Sequence, residues 1–597
     1  MSIVEQVKID ILKSLKELYG LEFKNSDLTI NLTKPEFEGD YTLVLFSFVK
    51  QLKKSPEQIG NEIGESLIKS NPDLFKAFNV IKGFLNLTIA DNYWINFLQS
   101  NFSNNKIGLK SANGKKVMVE YSSPNTNKPL HLGHLRNIFL GWSIAEILKA
   151  SGYDVIKSCI VNDRGIHICK SMIAWQLFSN GATPETTHIK GDHFVGDYYV
   201  KFNEEYTKQV KELLAKGMSE ETAEKEAPLM KEAQQMLLDW ENGKPEVIEL
   251  WKKMNSWVYK GFDVTYKKIG ADFNIIYYES DTYLLGKRSV EEGLEKGVFI
   301  KKDDGSVWAD LTAEGMDEKL VLRKDGTSVY ITQDLGLAQQ KYKQYHYDQS
   351  IYVIGDEQNY HMKVLKAILK KIDKPYADGV YHLSYGMVDL PTGKMKSREG
   401  TVVDADDIIN EMIAIATKHT VELGKVKDFN EQELDELYQI IGLGAIKFFL
   451  LRVDPKKRMV FNPEESVDFH GFTGPFVQYT HARIRSILRK ESMVNGQWSV
   501  VNKPHIGALL KLEKELIVLL EQYSTIIEQA CDEHNPSVIA IYVFNLAKLF
   551  NTFYTEHSVL NAESEGKKHL RLQLTEMTAN VIASAMSLLG IKVPERM

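Results

Sequence analysis

Cysteine is scarce. The 597 residues contain three, Cys159, Cys169 and Cys531, with no C-x-x-C pair among them. That count excludes a disulfide framework and a cysteine-rich zinc site, and it fits a reducing compartment, so a cytoplasmic protein is expected. Proline and glycine are modest, at 16 and 39, so the chain is neither collagenous nor of low complexity. No apolar run approaches the ~18 residues of a membrane span. Mean hydropathy is −0.26, and no membrane association is expected. There is no basic excess either: 73 Lys and Arg face 80 Asp and Glu, for a net charge of −7. A uniformly basic coat for nucleic acid is excluded, while local basic patches stay possible.

What is present reads as ordered globular domains. Val4, Val7, Ile11, Leu15 and Leu18 recur at steps of three and four, which predicts an amphipathic helix at the N-terminus. Its Glu5 and Asp10 argue against an export signal. Residues 1–110 read as a small α+β domain, with one strand expected over Val80–Ala90, and the polar stretch Asn101–Lys116 reads as a boundary. Residues 111–405 alternate strand and helix patterns. Lys116–Tyr121, Tyr153–Val161, Asn274–Tyr278, Ser350–Ile354 and Val380–Val388 are the strand candidates, Leu135–Ala150 and Ile166–Phe178 the helices. That order predicts a Rossmann-type, doubly wound parallel sheet. A charged, solvated helical insertion is expected near 180–265. Helical periodicity then runs through a connecting region at 406–460 and an all-α domain at 461–597. No internal repeat is visible.

The sharpest motif is His131-Leu132-Gly133-His134, where a strand-to-loop passage meets a helix start. Free N–H groups and partial positive charge collect anions there. Gly133 lets backbone approach a ligand, and imidazoles at i and i+3 share the first turn, so the segment can grip nucleotide phosphates. About 260 residues later comes a cationic loop within MVDLPTGKMKSREGTVV, carrying Lys394, Met395, Lys396, Ser397 and Arg398. Taken alone it is a solvated hairpin; beside H-x-G-H it is suited to neutralising a departing pyrophosphate.

The conjunction of strand, HLGH, helix, sheet and K-M-x-S-like loop resembles the class I aminoacyl-tRNA synthetases. Val119-Glu120-Tyr121-Ser122-Ser123-Pro124-Asn125, running through Lys128 into HLGHLRN, is similar to the arginyl-tRNA synthetase form. So are DGTSVYITQD (325–334), Gln358 in VIGDEQNYH, GPFVQYTHAR (474–483) and the closing Pro594-Glu595-Arg596-Met597. The resemblance covers essentially the whole chain. It implies arginyl-adenylate formation from L-arginine and ATP with Mg²⁺, then transfer to the 3′ end of tRNA(Arg), by a monomer with no tightly bound cofactor and no metal of its own. It implies that the N-terminal domain contacts the tRNA's outer corner and that the C-terminal helical domain binds the anticodon.

The same resemblance assigns His131, His134, Lys128 and Lys394 to catalysis, and His131, Gly133, His134, Lys394, Met395, Lys396 and Ser397 to ATP. The family's second loop lysine is Ser397 in this chain, and Lys128 is implied to take over its phosphate contact. Glu120, Ser123, Asn125, His134, Tyr330, Asp334 and Gln358 are implied to form the arginine site. The chemistry agrees, because a planar guanidinium calls for carboxylates and a phenolic partner. Tyr330 and Asp334, at i and i+4, share a helical face. A solvent-facing strand end is the competing reading of Glu120. Phe476, Tyr479, Arg483 and Met597 are implied to meet tRNA, with core packing the alternative for Phe476 and Tyr479. Two rivals are an H-x-G-H nucleotidyltransferase that uses no tRNA and a non-catalytic synthetase shell. The helical C-terminal domain counts against the first, the intact motif residues against the second.

Overall fold

The computed structural model describes residues 2–34, 36–389, 391, 403–422, 428–495 and 505–597. The N-terminal helix spans Ile3–Tyr19, opened by a Ser2/Glu5 capping box and closed by Gly20 in the left-handed region. It packs on the helix Pro56–Ser70, which lies against an antiparallel four-stranded sheet. The single strand expected over Val80–Ala90 is instead a hairpin, Phe75–Ile81 paired with Phe84–Ile89. Lys82 and Gly83 both take positive φ, +50° and +85°, the geometry of a two-residue hairpin turn. A Cβ on Gly83 would meet the Phe46 ring at 2.4 Å.

The centre is a five-stranded parallel sheet. Its order is Val380–Tyr385, Gln349–Gly355, Lys116–Glu120, Asp154–Val161, Ile275–Tyr278. Val117, Met118 and Val119 are all buried, as a strand covered on both faces requires. The helix Leu132–Ala150 returns from the central strand Lys116–Glu120, apolar nearly all round because sheet and C-terminal helices cover it together. The expected strand Val380–Val388 is cut at Tyr385. Gly386 donates its N–H to Pro455 O (2.9 Å), and Val388–Asp389 leaves the sheet to pair with Met459–Val460. A Cβ at Gly386 would lie 2.6 Å from the Arg458 nitrogen, so the crossing needs glycine.

Between Asp154–Val161 and Ile275–Tyr278 the described chain is helical, including Gly191–Ala215, Pro228–Glu241 and Pro245–Ile269. Phe194, Phe202, Trp240 and Trp257 are buried among these helices, so their inner faces are core and only the outer faces are solvated. A three-stranded antiparallel sheet, Phe299–Lys301, Val307–Ala309 and Lys319–Leu322, precedes the helix Tyr330–Tyr345. It was not anticipated, because strands of three or four residues carry too little alternation to see.

From Ala405 the described residues are mainly helical, apart from the short strand Met459–Val460, and the last helix is Glu565–Leu588. Ser537–Glu556 is long and apolar enough to cross a membrane by length and composition, which the reading of apolar runs passed over. It lies inside the helical domain instead. Ile539, Val543, Leu546 and Phe550 are fully buried, and the helix packs against Gly474–Asn495 and Glu565–Leu588.

Candidate active site at the ends of the parallel strands

The strand Lys116–Glu120 ends in two consecutive left-handed residues, Ser122 (φ +79°) and Ser123 (φ +46°). Each such non-glycine residue costs on the order of 1–3 kcal/mol, so the surroundings must hold them. Ser122 N–H donates to Asn137 Oδ1 at 2.5 Å, and its hydroxyl meets Tyr266 OH at 2.7 Å. Asn137 in turn donates to Val353 O (2.7 Å), tying the turn to the neighbouring strand.

His131 caps the helix Leu132–Ala150. Gly133 N–H donates to His131 Nδ1 (3.1 Å), and His131 N–H donates to His134 Nδ1 (3.2 Å). The rings sit 3.9 Å apart. Both Nδ1 atoms accept backbone hydrogen bonds, so both ring protons belong on Nε2. Burial, reinforced by Lys128, pushes His131 down to about 3, and burial with His131 and Lys128 holds His134 well below the imidazole range. The motif therefore presents two neutral Nε2–H donors, not imidazolium charge. Lys128, lowered by its own burial, has no carboxylate partner among the described residues. An ammonium so placed is an incomplete ion pair that an anionic ligand would complete.

Facing the motif, the helix Tyr330–Tyr345 presents Tyr330, Asp334, Leu337 and Lys341 at i, i+4, i+7 and i+11, one continuous stripe. Tyr330 stands at the rim, 77% exposed. Asp334 Oδ2 accepts from His361 Nε2 at 2.6 Å. Gln358 enters from the turn after Gln349–Gly355. One cavity of about 470 Å³ collects Glu120, Ser123, His131, Gly133, His134, Tyr330, Asp334 and Gln358. Eight of the residues singled out in the sequence thus share one wall-to-wall space.

Glu120 needs a correction on one point. It lines the cavity but is only 4% exposed and is already hydrogen-bonded to the ammonium of Lys341, itself fully buried. It is neither a solvated strand end nor a free carboxylate. Asn125 lines an adjoining cleft of about 970 Å³ that shares Tyr330 and Asn162 with the first cavity. That cleft also holds a carboxylate the sequence reading missed. Burial, with Asp163 and Asp334 nearby, lifts Glu279 to about 7 against the opposing pull of Arg164. His361 and Lys341 were missed as well. His361 closes the motif VIGDEQNYH three residues after Gln358, and Lys341 continues the stripe of Asp334 two turns further along the same helix.

Lys394, Met395, Lys396, Ser397 and Arg398 lie outside the described residues. Phe476, Tyr479 and Arg483 do share one face of Gly474–Asn495. Phe476 is half-buried with its ring 5.1 Å from that of Phe544, and Arg483 spans the Tyr479 ring (4.9 Å) and Asn551 Oδ1 (2.7 Å). Part of that face is therefore packed, as the core alternative held. Met597 is half-buried at the chain end, whose Pro594 and Glu595 carbonyls accept from His481 and Arg489. Elsewhere, Asp192, His193 and Asp406 converge, but Lys190 Nζ fills the cationic position, 3.0 Å from Asp192 and 2.5 Å from Asp406.

The comparisons agree with this geometry. The family described as "tRNA synthetases class I (R), catalytic domain" matches residues 97–462. The "Arginyl tRNA synthetase N terminal domain" matches 5–89, and the "DALR anticodon binding domain" matches 477–597. Fold and site together are those of a class I aminoacyl-tRNA synthetase. An arginine–tRNA ligase of Bacteroides fragilis is 53% identical over 602 residues, and one of Flavobacterium psychrophilum is 51% identical, each match covering 100% of both chains. The chain belongs to the arginyl-tRNA synthetase family. Arginyl-tRNA synthetase structures from Thermus thermophilus (TM-score 0.82, 24% identity, 100% of both chains) and Plasmodium falciparum (0.78, 18%, 100% and 99%) share its fold.

Proposed function

We infer that the chain is an arginine–tRNA ligase whose chemistry runs in the Glu120–Asp334 cavity. Arginine's carboxylate attacks the α-phosphorus of ATP, releasing pyrophosphate and leaving arginyl-adenylate. The 3′-terminal ribose hydroxyl of tRNA(Arg) then displaces AMP. Mg²⁺ would enter as part of the ATP substrate, offsetting phosphate charge.

His131 and His134 donate from Nε2 to the phosphate oxygens as charge develops, and Lys128 supplies the countercharge. By the family resemblance, Lys394 and its neighbours 395–397 add charge stabilisation for the departing pyrophosphate. The catalytic power lies in preorganised donors and positioning, with no covalent nucleophile. Asp334, oriented by His361, pairs with the guanidinium while Tyr330 covers it. Glu279 is the second carboxylate: burial lifts it to about 7 in the free protein, and a guanidinium between it and Asp334 would favour its ionised form. Ser123 and Gln358 hold the substrate's α-amino and carboxylate ends, and Asn125 guides the approach from the adjoining cleft. Tyr479, Arg483 and Met597 meet the anticodon loop, with Phe476 backing them through Phe544.

The observation that carries this reading is that Asp334 and Tyr330, on one helix, look across a single cavity at the H-x-G-H turn. Charging of total tRNA with labelled arginine tests it; acid-precipitable counts that need ATP and arginine are expected, and their absence would sink it. A cytoplasmic monomer is the proposed working form, and sedimentation at twice the 68.1 kDa chain mass would overturn the monomer.

A further inference from the structure

We infer that Lys341 is a selectivity-positioning residue: it masks Glu120, so that the floor of the arginine cavity offers no free carboxylate to a compact ammonium. The inference rests on the arginine reading of that cavity.

Lys341 is 0% exposed and its ammonium is hydrogen-bonded to Glu120. The Tyr352 and Tyr277 rings flank it at 4.8 Å and 5.6 Å. Glu120, Asp334, Leu337 and Tyr352 all line the cavity, and Lys341 lies behind Glu120 in the cavity wall. A buried ion pair is poor evidence of stabilisation, because an apolar pair of similar volume often serves as well. Charges kept under a binding cavity therefore call for another role.

Arginine's competitor is lysine, which carries the same charge. A guanidinium is planar and spreads its charge over five N–H donors, so the edge of Asp334 and the ring of Tyr330 suit it. An ammonium is a point charge satisfied by any unsaturated carboxylate, whatever the angle. Glu120 without Lys341 would be such a carboxylate, at the depth a lysine side chain can reach. With Lys341 bonded to it, Glu120 is closed to lysine, which is left with Asp334, one of whose oxygens is already held by His361, and with Glu279 at the cleft side. Selectivity of this kind comes from removing a favourable site for the wrong substrate rather than adding one for the right substrate.

Two variants unmask opposite charges. Lys341→Met keeps the bulk and frees Glu120. The ratio of kcat/KM for arginine over lysine, read by pyrophosphate exchange with tRNA present, should fall by about tenfold or more, with lysine gaining in absolute terms. Glu120→Gln keeps the shape and leaves the Lys341 ammonium facing the cavity. KM for arginine should rise by about tenfold, while the inhibition constant of neutral citrulline stays within about threefold. A role confined to packing would weaken arginine, lysine and citrulline together. Unchanged ratios in both variants overturn the inference, and if Lys341→Met does not fold, Glu120→Gln decides alone. Failure of the wild type to activate arginine would instead overturn the reading of the cavity.

Discussion

Asp334→Asn removes one charge and almost nothing else. The side chain is 38% exposed in the free protein, one oxygen is bonded to His361, and the asparagine amide oxygen can still accept that bond. Folding should survive, and the melting temperature should hold. The loss appears when arginine covers the site and the carboxylate is sealed from water. A hydrogen bond to a charged partner is worth about 1.5–3 kcal/mol. At about 1.4 kcal/mol per decade, kcat/KM for arginine should fall roughly 10- to 150-fold. Citrulline has the shape without the charge and makes only the weaker neutral bond, so arginine-over-citrulline discrimination should shrink by much of that factor. The assay is pyrophosphate exchange with both amino acids, tRNA present, in both proteins. A variant that activates arginine within about threefold of wild type, folded, would make Asp334 structural and remove the centre of the pocket.

Four further outcomes follow from the site. His134→Ala should lower adenylate formation by about 10²–10³ with folding intact, the usual cost of one preorganised donor, and activity within a few-fold of wild type would remove it from the mechanism. His131 is buried neutral at about 3 against an ordinary 6.5, so the unfolded chain takes up its proton first; that stability is present above pH 6.5 and drains away towards pH 3. Urea midpoints at pH 7 and 5 should therefore differ more in wild type than in His131→Asn. Glu279 at about 7 means that apparent affinity for arginine improves as pH rises through neutrality, and Glu279→Gln should flatten that profile. By family resemblance, pyrophosphate exchange should need bound tRNA, as induced fit would require, and full-rate exchange in tRNA-free protein would refute that point alone.

How much of this was legible in the sequence depends on the range of the signal. The parallel strands carry near-continuous apolar runs such as KVMV, and the helices carry long periodicity, so both are visible without partners. Short elements are not: the three-stranded sheet before Tyr330 has strands of three and four residues, and the Lys82–Gly83 turn hides inside an apolar stretch. Glycine at 83 was the missed clue. For the site, motif residues fall together because one loop and one helix carry most of them. Pairings made across the fold were invisible. Lys341 lies 221 positions from Glu120, and nothing local marks it as that residue's partner. The protonation of the histidines was also out of reach, since it depends on which backbone N–H each Nδ1 accepts.

On the proposed reading, one cavity, with Asp334 and Tyr330 facing His131 and His134, activates arginine and no other amino acid. Amino-acid-dependent ATP–pyrophosphate exchange across all twenty, run with and without total tRNA, tests it most directly. Exchange should appear with arginine and stay at background with lysine and the rest. Exchange driven by another amino acid, or none with arginine when tRNA is present, would contradict it.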